Sequence, residues 1–167
     1  LLLSIFILLC FNPSAYSNDF ATHLLSKTKA LKNIAYGSHP QQAMDVYFPT
    51  QPLTDKTPAP LIVMVHGGAW IIGDKNKAAV VKNKMDYWNK QGWVFISINY
   101  RLVPDATLQQ QTQDIAEALI YIQNQAPNWH ADSKRLVLMG HSAGAHLVSL
   151  LTTRPLWLTL QPQPWRA

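Results

Sequence analysis

The chain has 167 residues, 48% of them hydrophobic and 14% charged. That composition is globular, excludes an intrinsically disordered chain, and sets the scale at one domain with room for a sizeable core. The net charge of +5 comes from scattered Lys and Arg without a basic block, so it reads as a solubility property with little to say about nucleic acid, and no nucleic-acid partner is expected.

Leu1 to Phe11 is apolar except for Ser4, and is too short to span a bilayer as a helix. Pro13 breaks the run, and Ala15-Tyr16-Ser17 places small residues where a signal peptidase reads. Residues 1–17 therefore read as a signal peptide with a truncated start, because neither Met nor a basic region precedes it. An uncleaved anchor is the alternative. Cleavage after Ser17 would remove Cys10, the single cysteine, and with it any disulfide or cysteine-based metal or redox site. The mature chain would then be secreted or periplasmic, with no stable membrane association.

Asn18 to Leu31 reads as an exposed lead-in of helical character. Ala43 to Phe48 reads as a strand closed by Pro49. Gln51 to Pro60 carries three prolines and reads as a loop. Leu61 to Val65 is a continuous apolar, β-branched-rich run, the signature of a strand buried on both faces. Lys75 to Gln91 is expected to be a helix stopping before Gly92. Trp93 to Ile98 is a second buried strand. Thr107 to Gln125 is expected to be a helix, with Ile115, Leu119 and Ile122 on one face and Pro127 just beyond its end. Leu136 to Met139 is a third apolar strand, followed by a helix over Ala145 to Leu151. Three apolar strands separated by helix-bearing stretches are βαβ units, which imply a parallel sheet. The chain shows no internal repeat and no interdomain linker. After that helix come Arg154-Pro155 and then Trp157 to Ala167, with no further strand.

Two motifs sit at strand ends. Gly140-His141-Ser142-Ala143-Gly144 lies between the third strand and its helix. Such a turn lifts a serine hydroxyl to the end of a sheet, and its glycines admit close backbone approach. His66-Gly67-Gly68-Ala69-Trp70 follows the first apolar strand. Paired glycines there let backbone N–H groups turn toward a bound oxygen, as an oxyanion hole requires. Taken singly, each motif is also compatible with an ordinary turn.

Together with Gly73-Asp74, Asn99-Tyr100-Arg101-Leu102 and Asp114, in that order, these motifs resemble the α/β-hydrolase superfamily, specifically its secreted esterase/lipase group with an HGGG-type oxyanion loop. The resemblance covers Ala43 to the end. It implies an α/β-hydrolase fold, a mostly parallel sheet with helices on both faces. Residues 18–167 would be the N-terminal part of one such domain, incomplete because its C-terminal strands are absent. It implies Ser142 as nucleophile and the N–H groups of Gly68, Ala69 and Ala143 as the oxyanion hole. Ala69 departs from the third glycine of lipase-type loops, which blurs the subfamily. His66 is expected to organise the loop. His141, His146 and Trp70 are expected at the pocket edge or in packing, and Arg101 with Asp114 as a structural pair. The implied chemistry is hydrolysis of a small-molecule carboxylic ester through an acyl-enzyme, with no cofactor and no metal. Arylformamidase or peptidase activity on the same fold, or a non-catalytic binding protein, stay open. Oligomeric state is unknown.

The superfamily order is Ser, then Asp or Glu, then His. After His146, directly behind the serine, no Asp, Glu or His follows. A serine without a general base is a weak nucleophile. The expectation is that the 167 residues belong to a longer enzyme whose remainder supplies acid and base, and that alone they are inactive or nearly so.

Overall fold

The computed structural model describes residues 29–53 and 56–153. The signal-peptide reading of residues 1–17, most of the lead-in, and the stretch from Arg154 onward lie outside them.

The described residues form, in order, β1 (Ala30–Ala35), β2 (Ala43–Tyr47), β3 (Ala59–Val65), α1 (Ala78–Lys90), β4 (Val94–Ile98), α2 (Leu108–Gln125), a 3-10 turn (Ala126–Trp129), β5 (Ala131–Gly140) and α3 (Ala143–Thr153). They form one five-stranded sheet in the order β1-β2-β4-β3-β5. β3 pairs in parallel with both β4 and β5. β1 and β2 add an antiparallel flank, β2 pairing with β4. The βαβ reading thus holds for β3, β4 and β5. The lead-in reading fails at its end, where Ala30 and Leu31 begin a strand, because Leu31 and Ile34 pack on the core while their neighbours face water.

β3 is the axis of the sheet, and every one of its residues is buried. Its side chains alternate between two cores, as a strand must. Leu61, Val63 and Val65 join Ile96, Ile98, Ile115, Leu119, Ile122 and Leu147 on the α2/α3 side. Ile62 and Met64 join Phe95 and Val81 on the α1 side. Each such aliphatic side chain contributes about 1.5–3 kcal/mol by leaving water, so both faces need a helical cover. α2 starts where a capping box allows it. The Thr107 side chain accepts from the Gln110 N–H, and the Gln110 side chain accepts from the Thr107 N–H.

Candidate active site

The register of the sheet brings the two glycine-containing motifs side by side. Val65 at the end of β3 pairs with Gly140 at the end of β5. The His66 loop and the His141 turn therefore leave neighbouring parallel strands at the same edge. The His141 N–H donates to the Val65 carbonyl across that boundary at 3.1 Å.

Ser142 stands at the apex of the second turn, exposed, with φ at 52°. That is the left-handed region, which a non-glycine residue enters only under strain. The turn closes on itself: the Gly144 N–H donates to the His141 carbonyl at 2.9 Å, and the His146 N–H to the Ser142 carbonyl at 3.1 Å. Gly144 has no room for a side chain, since a Cβ would fall 2.5 Å from the His66 carbonyl oxygen and against that of Val65. Ala143 is buried and opens α3. Its N–H is one of the first-turn donors that a helix leaves without an internal partner.

The first loop rests on this turn. A Cβ placed on Gly67 would lie 3.0 Å from the Ser142 Cβ and 2.9 Å from the His141 Nδ1. Beyond it the backbone is left-handed at three successive residues, Gly68 (φ 134°), Ala69 (φ 51°) and Trp70 (φ 64°). Ala69, where lipase-type loops carry a third glycine, adopts the conformation a glycine would. The Gly68 carbonyl points back into the loop and accepts from the Ile71 and Ile72 N–H groups at 3.1 and 3.0 Å. The Trp70 carbonyl is held from outside by the Val103 N–H at 3.0 Å and the Gln111 side-chain amide at 3.1 Å. Gly68, Ala69, Ala143 and Ser142, the residues expected in the site, thus lie together beyond the C-terminal ends of β3 and β5.

His66 is an organiser of this loop. It is buried and stacks on Tyr100 with ring centroids 4.5 Å apart. Burial pushes its pKa below the ordinary 6.5, so the ring is neutral. Its Nδ1–H donates to the Gly67 carbonyl at 2.8 Å. The Tyr100 hydroxyl donates to the His66 carbonyl at 2.9 Å, and burial raises that phenol to about 12. His141 and His146 are exposed at the rim, and His146 meets the edge of the half-buried Trp70 ring at 5.4 Å. Arg101 and Asp114 form the expected structural pair. The guanidinium reaches Asp114 through Nε and Nη2, at 2.6 Å for the closest contact, and Asp114 also accepts from the Arg101 N–H. Gln42 donates to the same carboxylate at 2.9 Å. Asp114 is therefore fully engaged beneath the loop after β4.

One cluster went unforeseen. Lys75, just past the loop, is buried, and its Nζ contacts Asp45 of β2 at 3.0 Å and Asn33 of β1 at 2.7 Å. Asp45 is buried as well. Burial works against its charge, but the Asn33 N–H, Lys32 and Lys75 outweigh it and hold the carboxyl below its usual range. An Asp inside the apolar run Ala43 to Phe48 was the available signal, since a buried carboxylate must have partners.

Among the described residues, no group of three or more His, Cys, Asp or Glu is placed to hold a metal ion, and no helix is long and apolar enough to cross a membrane.

Comparison with known proteins finds esterases. The chain is 31% identical over 121 residues to the Oryza sativa subsp. japonica protein named "Probable isoprenylcysteine alpha-carbonyl methylesterase ICME", covering 72% of this chain and 28% of that one. It is 30% identical over 124 residues to esterase LipC of Mycobacterium tuberculosis, covering 71% and 28%. The chain thus spans about a quarter of the length of the curated relatives it matches. Its fold superposes on esterase B of Lactobacillus rhamnosis with a TM-score of 0.67 at 27% identity, over 89% of this chain and 48% of that structure. A family model described as BD-FAE matches residues 44–156, which take in the β3 loop, the Ser142 turn and all of the parallel strands. With both motifs at adjacent strand ends inside that span, the chain belongs to the BD-FAE family of α/β-hydrolases.

Proposed function

We propose that the whole protein is a serine hydrolase of small-molecule carboxylic esters. One observation carries the reading: Ser142, strained and exposed at the end of β5, stands against the left-handed loop at the end of β3. Ser142 Oγ attacks the ester carbonyl carbon while its proton passes to a general base. The carbonyl oxygen becomes an oxyanion, stabilised by the N–H groups of Gly68, Ala69 and Ala143. The alcohol leaves with a proton, giving an acyl-enzyme. Water then adds to the acyl carbon, and the acid departs as Ser142 regains its proton. The higher identity to esterases, 31% against 26% to a Salmo salar kynurenine formamidase, favours ester substrates over formamides.

The base and the carboxylate that orients it we assign to chain beyond these 167 residues. His66 is buried with its Nδ1–H committed to Gly67, which argues against its serving Ser142. The 167 residues alone are then expected to turn over ester weakly at best, and the half-exposed face of β5, with Val137 44% exposed, to make them poorly stable. We further propose export with cleavage after Ser17, which N-terminal sequencing of the mature protein checks.

The test is hydrolysis of a short-chain aryl ester and labelling by a fluorophosphonate. The whole protein should do both, and Ser142→Ala should abolish labelling and lower turnover by a factor on the order of 10⁴ or more. Residues 18–167 should show little of either. A folded whole protein that is neither labelled nor active would point to a binding protein instead. Full turnover by residues 18–167 would overturn the assignment of the base.

A further inference from the structure

We propose that Lys75 is a positioning residue for the oxyanion loop: its buried ammonium, held by Asp45 and Asn33, pins the exit of the loop that presents the Gly68 and Ala69 N–H groups. The inference rests on the ester-hydrolase reading above and adds a residue to it.

The loop is a closed unit from Gly68 to Gly73. The Gly68 carbonyl receives two N–H groups from its far side. Gly73 is left-handed at φ 132°, and a Cβ there would lie 2.5 Å from the Gly67 carbonyl oxygen and against the His66 ring. The exit of the loop therefore leans on its entrance. If Gly73 shifts outward, Gly67 and the peptides that follow lose the surface they rest on.

What fixes that exit is polar and directional. Asp74 accepts from the Asn99 side-chain amide at 3.0 Å, and the Lys75 N–H donates to the Asn99 Oδ1 at 2.5 Å. The Lys75 side chain, only 6% exposed, then runs to the β1-β2 ribbon. There its Nζ meets Asp45 Oδ1 at 3.0 Å and Asn33 Oδ1 at 2.7 Å. The ribbon is shaped to receive it. Asn33 sits at φ 55°, and its N–H donates to the same Asp45 oxygen at 2.9 Å. Lys32 occupies the other Asp45 oxygen at 3.0 Å.

A buried ammonium–carboxylate pair is a poor source of stability, because desolvation offsets its attraction. An apolar side chain would fill the same space without that penalty. What the ion pair supplies is a fixed distance and direction between the ribbon and the loop. Misplacing an oxyanion donor by about 1 Å is enough to lower a rate about 100-fold, so such a constraint is felt in catalysis more than in folding.

The experiment uses the whole protein, with Lys75→Met and the double variant Asp45→Asn/Lys75→Met, which leaves no unpaired carboxylate should the single variant fold poorly. Values of kcat and KM for a short-chain aryl ester are measured alongside Ki for a boronic acid, whose tetrahedral adduct on Ser142 places an oxygen in the oxyanion hole. Thermal melts confirm that each variant is folded at the assay temperature. The expected result is a fall in kcat of about 10- to 100-fold, KM within about twofold, and a boronate Ki that rises in step with the loss of kcat/KM. A folded variant whose kcat and boronate Ki stay within about twofold of the parent, whatever its melting temperature, overturns the positioning role. Parent protein that neither turns over ester nor labels with fluorophosphonate overturns the ester-hydrolase reading, and this inference with it.

Discussion

Replacing Ser142 by glycine should stabilise the protein relative to replacing it by alanine, although glycine ordinarily does the reverse. Both substitutions remove the hydroxyl, so their difference isolates the backbone. At φ 52° an L-residue with a Cβ is strained by about 1–2 kcal/mol. Glycine escapes that strain but carries extra unfolded-state freedom, a loss of about 0.4–1 kcal/mol. The balance leaves Ser142→Gly more stable than Ser142→Ala by about 0.8 kcal/mol. With a urea m-value of about 2 kcal/mol/M, the unfolding midpoint moves up by about 0.4 M. Ser149, exposed within α3, supplies the contrast. There Gly should be less stable than Ala by about 1 kcal/mol. The two sites should thus show opposite signs in the same assay, urea unfolding followed by circular dichroism. If Ser142→Gly is the less stable of its pair by an amount like that at Ser149, the serine is not held in a left-handed turn, and the strained-elbow argument fails.

Gly144→Ala drives a Cβ against the backbone of Val65 and His66, atoms that belong to the central strand and its extension and have no rotamer to give. We expect a loss of about 3 kcal/mol, visible as a melting temperature lower by about 6–12 °C, whereas Gly92→Ala, with open space but φ at 82°, should lose only about 1 kcal/mol. Stability should also fall as pH drops below 6.5, through His66. Its folded pKa lies below the unfolded value because burial disfavours the charged ring. Above 6.5 the ring is neutral in both states. Below it, the unfolded chain takes a proton that the folded one refuses, so stability declines by at most about 1.4 kcal/mol per pH unit until the folded pKa is reached. Urea midpoints between pH 7.5 and 5 should show this decline in the parent and a flatter profile in His66→Gln. An unchanged slope in the variant would assign the effect elsewhere.

What the amino-acid sequence makes legible here follows from what each element buries. β3 and β4 are covered on both faces, so their residues read as unbroken apolar runs. α2 is covered on one side, so it reads as a 3.6-residue stripe with Thr107 and Gln110 at its start. β1 has neither signature. It is an edge strand, Ala30 to Ala35, with Lys32 and Asn33 at its centre and an irregularity between Leu31 and Ile34. Its place is set by Asp45 and Tyr47 on the neighbouring strand, a relation no local pattern contains. β5 runs longer than its apolar stretch for a similar reason: Asp132 to Arg135 is polar and at least partly exposed, and the strand is anchored to β3 at Ala131 before it and from Leu136 after it.

The site divides along the same line. Ser142, Gly68 and Ala69 are legible because backbone conformation dictates residue type at short range: a strained turn tolerates few side chains, and the glycines around it mark where backbones touch. Lys75 is not, because its reason lies in partners on β1 and β2. Yet the two kinds of residue depend on each other. A left-handed loop such as Gly68 to Trp70 is held against its own strain only if its surroundings over-determine it. Here the restraints come from three directions: Val103 and Gln111 on the Trp70 carbonyl, Tyr100 beneath His66, and Lys75 at the exit. Loosening any one lets the loop relax toward right-handed backbone, which under the proposed mechanism would misalign the Gly68 and Ala69 N–H groups. Through the Lys75 contacts with Asp45 and Asn33, the antiparallel β1-β2 flank is therefore among the restraints on the loop's left-handed conformation.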